Sequence, residues 1–500
     1  MTTPLFTQSE LQTLSIPYPD RIERRIRRRD IDGAMALTHE MAESRILLHD
    51  FYADSCTVLW SFIGDHCGED AIEPMFRYIF ARSAARQFFD AAGAQVLPHL
   101  SVLLLAKSWR AHSCFGKGDH PGNFSITEDA EKFTFHLHPC GSGARLWKKG
   151  WYANGAGGKL SQTSHPWTYN RKNFPYYCIH CPFLNEILPY ESGYGALLWP
   201  VDPPDSPSGN CAWHIYKNPN AIPERYYERL GLSRKPVAPG PYPARTKPFF
   251  SDNELTDMAR PTTDRILEKL ERGDTKTATR LCREVTDEFL VLHDLYVNML
   301  ASTLSFIAET GGEASLEKAL DLQFTLCINR QIIKPVAQMP ARETTKFLAG
   351  HIFGTDNCNG CGYIPGKFKI TETDTQIIFS LNPCGSGGRL VRAGTGTSQK
   401  NLQKWRERME TGIVTFLSHR IPLPEPLVRW IFPYMVNHFT QRKPFSLGKT
   451  AAAHPWSFHR LQVPYFCCQC GMLQQKLGND RLQIIPPTHK RDACVWKLKK

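Results

Sequence analysis

The sequence predicts an α+β protein arranged as a tandem duplication, each copy an N-terminal helical bundle followed by an antiparallel β region, with the copies packed as a pseudo-dimer. Three observations carry this expectation. Apolar side chains recur first at helical spacing, they then alternate at strand spacing, and the whole pattern occurs twice along 500 residues.

Helices come first in each copy. Leu37, Met41, Leu48, Tyr52 and Cys56 fall three and four residues apart or in multiples of that spacing, as do Leu281, Val285, Phe289, Leu292, Tyr296 and Leu300. Strands follow. Phe133, Phe135 and Leu137 alternate with Thr134, His136 and His138, and Ile377, Phe379 and Leu381 alternate with Ile378, Ser380 and Asn382.

The repeat is legible residue by residue. LLHDFY at Leu47 meets VLHDLY at Val291 at an offset of 244, which holds through Gly68-Glu69 with Gly312-Glu313 and PCGSGARL at Pro139 with PCGSGGRL at Pro383. The offset then becomes 289, where HPWTY at His165 meets HPWSF at His454 and FPYYCIHC at Phe174 meets VPYFCCQC at Val463, so the second copy carries a 45-residue insertion. The expected boundaries are 20–217 for the first copy, 218–263 for a Pro-rich linker, and 264–500 for the second copy with its insertion near 391–450.

Composition narrows the class. Charged residues at 22% and aromatics at 11% suit a globular chain rather than a disordered or fibrous one. The longest apolar run, near Val96 to Ala106, is broken by Pro98 and His99 and is too short to span a bilayer, so no membrane partner is expected. The start, MTTPLFTQSELQTLS, lacks the pattern of a secretory signal, and the 16 cysteines are therefore expected as thiols or metal ligands in the cytoplasm.

Comparing the copies sorts those cysteines. Cys114/Cys358, Cys140/Cys384, Cys178/Cys467, Cys181/Cys470 and Cys211/Cys494 are shared, as is His165/His454. A Cys-x-x-Cys turn offers two sulfurs at the bite of a tetrahedral ion, so Cys140, His165, Cys178 and Cys181 form one expected metal set and Cys384, His454, Cys467 and Cys470 the other. Zinc is the expected ion, with an iron–sulfur cluster as the lesser alternative. Cys211 and Cys494, alternating with Trp213 and Trp496, are assigned to the core.

The Pro-Cys-Gly-Ser-Gly-x-Arg-Leu loop is the other shared signal. Its glycines let backbone N–H groups approach an anion that Arg145 or Arg389 could pair with, so Ser142, Ser386 and Arg389 are substrate-binding candidates. A plain structural turn is the competing account. His136, His138, Arg145 and the helical His49-Asp50 pair are the catalytic candidates, through proton transfer or charge stabilisation. The second copy has Ser380 and Asn382 in place of the two strand histidines, which predicts one active and one supporting copy. For His49-Asp50, and for His293-Asp294 in the second copy, a packing role competes with the catalytic one.

Charge points weakly to a partner. The net charge is +12, and 391–450 holds ten Lys or Arg against three Glu, suiting a cover over an anionic pocket or a docking segment. Nucleic acid is a possible but not favoured partner at this mild balance, and Arg21 to Arg29 reads as a solvated helix face. The ending SGNCAWHIYK resembles the Gly-x-x-Cys strand that closes 4-vinyl-reductase-type ligand-binding domains; the resemblance implies only a small-molecule pocket.

The functional expectation is a zinc–thiolate enzyme, a hydrolase or lyase acting on a small polar, anionic molecule by metal-assisted hydrolysis or elimination. One alternative is a non-catalytic zinc-stabilised scaffold, regulatory or nucleic-acid-binding. Another is a hydrolase using the loop cysteine as nucleophile with His136 or His138 as base. The chain is expected to be monomeric, its pseudo-dimer being internal.

Overall fold

The computed structural model describes residues 3–81, 98–112, 122–153, 157–191, 195–206, 209–237, 247–353, 368–388, 448–478, 481–487 and 492–500. Nearly all of the expected insertion, together with Cys114, Cys358 and Arg389, lies outside them, as does the side chain of Asp294. The chain is α+β, with two four-stranded antiparallel sheets. It divides into two compact units, one formed by Met1–Phe62, Pro261–Thr395 and Lys443–Lys500, the other by Ile63–Arg260.

In the first of these units, helices precede the sheet. Tyr18–Arg27 starts on Pro17, and Thr275–Gln323 starts where the Asp274 side chain accepts the Thr277 N–H at 3.0 Å. Tyr18, Ile22 and Ile26 pack with Leu37 and Met41 of Ile31–His66 and with Ile266, Leu270, Leu281 and Val285. Each such side chain contributes about 1.5–3 kcal/mol on full burial, and that is the main hold on the bundle. Strands β5 (Phe368–Glu372), β6 (Gln376–Leu381), β7 (Leu482–Ile485) and β8 (Cys494–Lys499) pair in the order β5-β6-β8-β7.

The second unit carries β1 (Phe124–Glu128), β2 (Lys132–Leu137), β3 (Val201–Asp202) and β4 (Cys211–Tyr216) in the order β1-β2-β4-β3. Corresponding residues pair in the two sheets: Phe135 faces Trp213 as Phe379 faces Trp496, and Leu137 faces Cys211 as Leu381 faces Cys494. The alternation read from the sequence decides the buried face, since Phe133, Phe135 and Leu137, like Ile377, Phe379 and Leu381, are 0–1% exposed.

A short helix docks on the edge strand of each sheet by the same contacts. Ahead of Gln8–Leu14, the backbone N–H groups of Leu5 and Phe6 donate to the Glu372 carboxylate at 2.7 and 3.0 Å. Ahead of Asp252–Ala259, those of Phe249 and Phe250 donate to Glu128 at 2.8 and 3.1 Å. Both helices open with a reciprocal capping box, Thr7 with Glu10 and Ser251 with Glu254. The segment ahead of Gln8–Leu14 therefore meets β5, and the segment ahead of Asp252–Ala259 meets β1. Much of the stretch expected as a linker is thus folded: besides Asp252–Ala259 it contains Glu224–Glu228, whose Tyr226 and Tyr227 are buried.

Among the described residues no helix is long and apolar enough to cross a membrane.

Candidate functional site

Three separated segments bring four thiols together in the unit Ile63–Arg260. Cys140 lies in the turn that leaves β2, where the backbone reverses into the short helix Gly143–Lys148. Cys178 and Cys181 lie on consecutive turns after Pro175, and Cys211 opens β4 opposite Leu137. Gly143 is the pivot. A Cβ placed there would stand 2.6 Å from Cys178 Sγ, so the loop glycine leaves room for that sulfur.

The thiols stand near enough that ionising one would oppose ionising the next. Burial pushes Cys178 well up, with Cys140 and Cys211 adding to it; burial does the same to Cys181, with Cys178, Cys211 and Cys140 adding, and to Cys211, with Cys140 adding. All six pairings of the four are represented.

The other unit repeats the arrangement. Burial raises Cys467, and Cys384, Cys470 and Cys494 add to it; burial raises Cys470 to about 12 with Cys384 adding, and Cys494 with Cys384 and Cys470 adding. A Cβ on Gly387 would stand 2.5 Å from Cys467 Sγ, and the Gly388 N–H donates to Cys384 Sγ at 3.1 Å. Neighbouring Cys468 turns away, its thiol donating to the Pro464 carbonyl at 3.5 Å. Among the described residues, no group of three His, Cys, Asp or Glu side chains is placed to hold a metal ion.

His165 and His454, expected among the metal ligands, each meet a glutamate and a tryptophan. His165 stacks on Trp167 with ring centroids 4.1 Å apart, and its Nε2 lies 3.3 Å from Glu69. His454 stacks likewise on Trp456 at 4.4 Å, and its Nε2 lies 2.6 Å from Glu313. Each glutamate also accepts two backbone N–H groups from the segment before its histidine, Gln162 and Thr163 or Ala451 and Ala452. Gly68 and Gly312, at φ 85° and 76°, turn the chain so that the next residue faces this segment. The shared Gly-Glu and His-Pro-Trp motifs are two ends of one latch.

Arg145 is buried, and its Nε donates to the Gly141 carbonyl at 2.9 Å, bracing the loop from within. Ser142 is 1% exposed, and its Oγ lies 3.5 Å from Cys140 Sγ; Ser386 stands 3.7 Å from Cys384 Sγ. The serines therefore belong to the thiol turns. His49 and Asp50 are in contact at 3.1 Å, but the His49 ring meets Tyr296 edge-on at 6.3 Å within the helix packing, beside the stacked Tyr52–Tyr296 pair.

The polar face of the first sheet holds the remaining candidates. His136 is half-buried and His138 exposed, and their rings stack 6.1 Å apart. Thr127 Oγ1 lies 3.1 Å from His136 Nε2, and Ser125 Oγ 3.2 Å from His138 Nε2. Burial, then the charges of His138, His214 and Lys132, hold His136 below the ordinary imidazole range.

Three further residues on or beside this face went unread in the sequence. His214 Nε2 lies 2.8 Å from Asp202 Oδ2, its Nδ1 lies 3.1 Å from Thr134 Oγ1, and Tyr226 OH donates to Asp202 at 2.9 Å. Burial works to raise Asp202, but the hydrogen bonds of His214 and Tyr226 and the charges of His214 and Arg229 outweigh it and hold the carboxyl at about 2. The available signal was His214's even position in CAWHIYK, which puts it on the face of His136.

Behind this face, fully buried Glu186 accepts from Tyr169 OH at 2.5 Å and from Arg229 Nη2 at 2.7 Å. Burial pushes its carboxyl up to about 7 against the pull of Arg229 and Tyr169. The guanidinium lies over Tyr169 and Tyr226, 4.3 and 4.5 Å from their ring centroids. Its position after Glu224–Glu228 makes Arg229 the fastener of the folded stretch behind β4.

No family model matches the chain, and no curated protein or solved structure matches it at a significant level.

Proposed function

We propose that the protein is an enzyme acting on a small, polar, anionic molecule by proton transfer in hydrolysis or elimination, with its reacting groups on the polar face of the first sheet. The observation that carries this reading is the His214–Asp202 pair at 2.8 Å, set on one face with half-open His136, where the second sheet has Lys497, Ile485 and Ser380. Asp202 orients one ring nitrogen of His214, and a His136 held below its ordinary range is available near neutral pH as a base. Lys132 on the same face and Arg225 beside Tyr226 supply positive charge suited to an anion.

The thiols serve the fold in this reading, because four sulfur ligands would leave no coordination position open for substrate. The same point favours one alternative, a metal-stabilised scaffold without catalysis. A duplicated origin is part of the proposal, supported by the matched sheet registers, latches and thiol turns.

The test is turnover of aryl phosphates, carboxylate esters and β-substituted hydroxy acids by the full chain. His214→Asn and His136→Asn should each lower any turnover at least ~100-fold, in the range of lost acid–base catalysis, without changing the melting temperature by more than a few degrees. Turnover unchanged in both variants defeats the assignment, and no turnover of any class favours the scaffold.

A further inference from the structure

We infer that each unit binds one thiophilic ion, zinc above others, through four cysteines: Cys140, Cys178, Cys181 and Cys211 in one unit, and Cys384, Cys467, Cys470 and Cys494 in the other. The fourth ligand is thus the cysteine that opens the last strand, and the His-Pro-Trp histidine is no ligand. This deepens the metal–thiolate part of the proposed function and does not depend on the catalytic part.

Four arguments support the set. The first is placement: the turn after β2, the Cys-x-x-Cys turn and the start of β4 are far apart in sequence and meet at their cysteines, with Cys178 Sγ lodged on Gly143 and Cys467 Sγ on Gly387. The second is repetition, because the two units reach the same grouping with different neighbours: Ile179-His180 between one pair of cysteines, Cys468-Gln469 between the other. His180 Nε2 stands 3.7 Å from Cys181 Sγ, and its replacement by Gln469 removes it as a shared ligand.

The third argument is that both histidines are engaged elsewhere, His165 with Glu69 and His454 with Glu313. The fourth is chemical. The Gly388 N–H pointed at Cys384 Sγ is a donor that stabilises a thiolate, and sulfur ligands bound to metal draw such donors. Moving χ1 between staggered wells carries a sulfur about 3 Å, and it is by such rotation that the set would close on an ion.

The experiment is elemental analysis of the full chain purified under reducing conditions, followed by cobalt replacement and visible spectroscopy. Two ions per chain and the spectrum of four-sulfur tetrahedral cobalt are expected. Cys211→Ser should lower the content to one ion, while His165→Asn and His454→Asn should leave two. Should Cys211→Ser fail to fold, Cys211→His offers a replacement ligand and should retain two ions while changing half of the cobalt spectrum to three sulfurs and one nitrogen.

Absence of metal, or wild-type cobalt bands of a three-sulfur, one-nitrogen site that disappear in His165→Asn, overturns the assignment. Metal content unchanged in His214→Asn with turnover lost would support both readings. Loss of one reading leaves the other measurable, because the ion count and turnover are read separately.

Discussion

The two sheets share strand order, thiol turns and a carboxylate latch, yet their polar faces differ at nearly every position. Thr134, His136, Asp202 and His214 in the first correspond to Ile378, Ser380, Ile485 and Lys497 in the second. Behind the faces, the Glu186 carboxylate accepts the Val201 N–H at 3.2 Å, and Gln474 accepts that of Ile484 at 2.6 Å. The backbone demand is the same, but among the described residues it is the unit Ile63–Arg260 that has Arg229 to answer a buried charge. Features held in common build the unit; the differing features carry titratable chemistry.

That contrast can be broken most severely at Glu186. Glu186→Gln keeps the acceptor but leaves the guanidinium of Arg229 in the interior, and a loss of about 3–5 kcal/mol is expected in urea unfolding. Adding Arg229→Met should recover much of it. A loss in the double variant as large as in the single one would show that the pair is not what links these positions.

The shared thiol turns predict equal damage in both units. Gly143→Ala and Gly387→Ala each force a methyl to within 2.6 or 2.5 Å of a cysteine sulfur, and each should cost about 1–3 kcal/mol by overpacking. Calorimetry showing a loss in only one would mean that the two loops are not equivalent.

A smaller effect is expected at the latches. Burial opposes the ionisation of Glu313, but hydrogen bonds from His454, Ala451 and Ala452 prevail and lower its range in the folded state. Its contribution is therefore complete above the ordinary glutamate value and lost as pH falls through the lowered one. Glu313→Gln should remove that part of the acid sensitivity, seen as a flatter melting curve against pH below about 4.5.

The smallest effect separates the faces themselves. Because burial lowers His136 in the folded state, protonating it favours unfolding, and stability falls as pH drops below the ordinary imidazole value. His136→Asn should lessen that fall, whereas Ser380→Ala should leave the profile between pH 7 and 5 unaltered. Equal profiles in wild type and His136→Asn would remove the titratable distinction between the sheets.

The amino-acid sequence by itself determined the α+β class, the buried faces of β2 and β6, and which cysteines deserve a shared role. Period-two and period-3.6 patterns are local, and burial follows from them once a core exists, which is why Phe133, Phe379, Leu281 and Met41 were readable. The contact of His165 with Glu69 was not readable for the complementary reason: spacing records which residues are retained together, not which partner each one meets. Glu69 and His165 are 96 positions apart and become a pair only when the turn at Gly68 meets the segment before Pro166. Cys211 joined the thiols, and His214 joined Asp202, through the registers of β2, β3 and β4, which place residues across a sheet rather than along the chain. Tertiary structure alone decided those groupings, because pairing across strands depends on how distant segments align, and no local preference of the backbone specifies it.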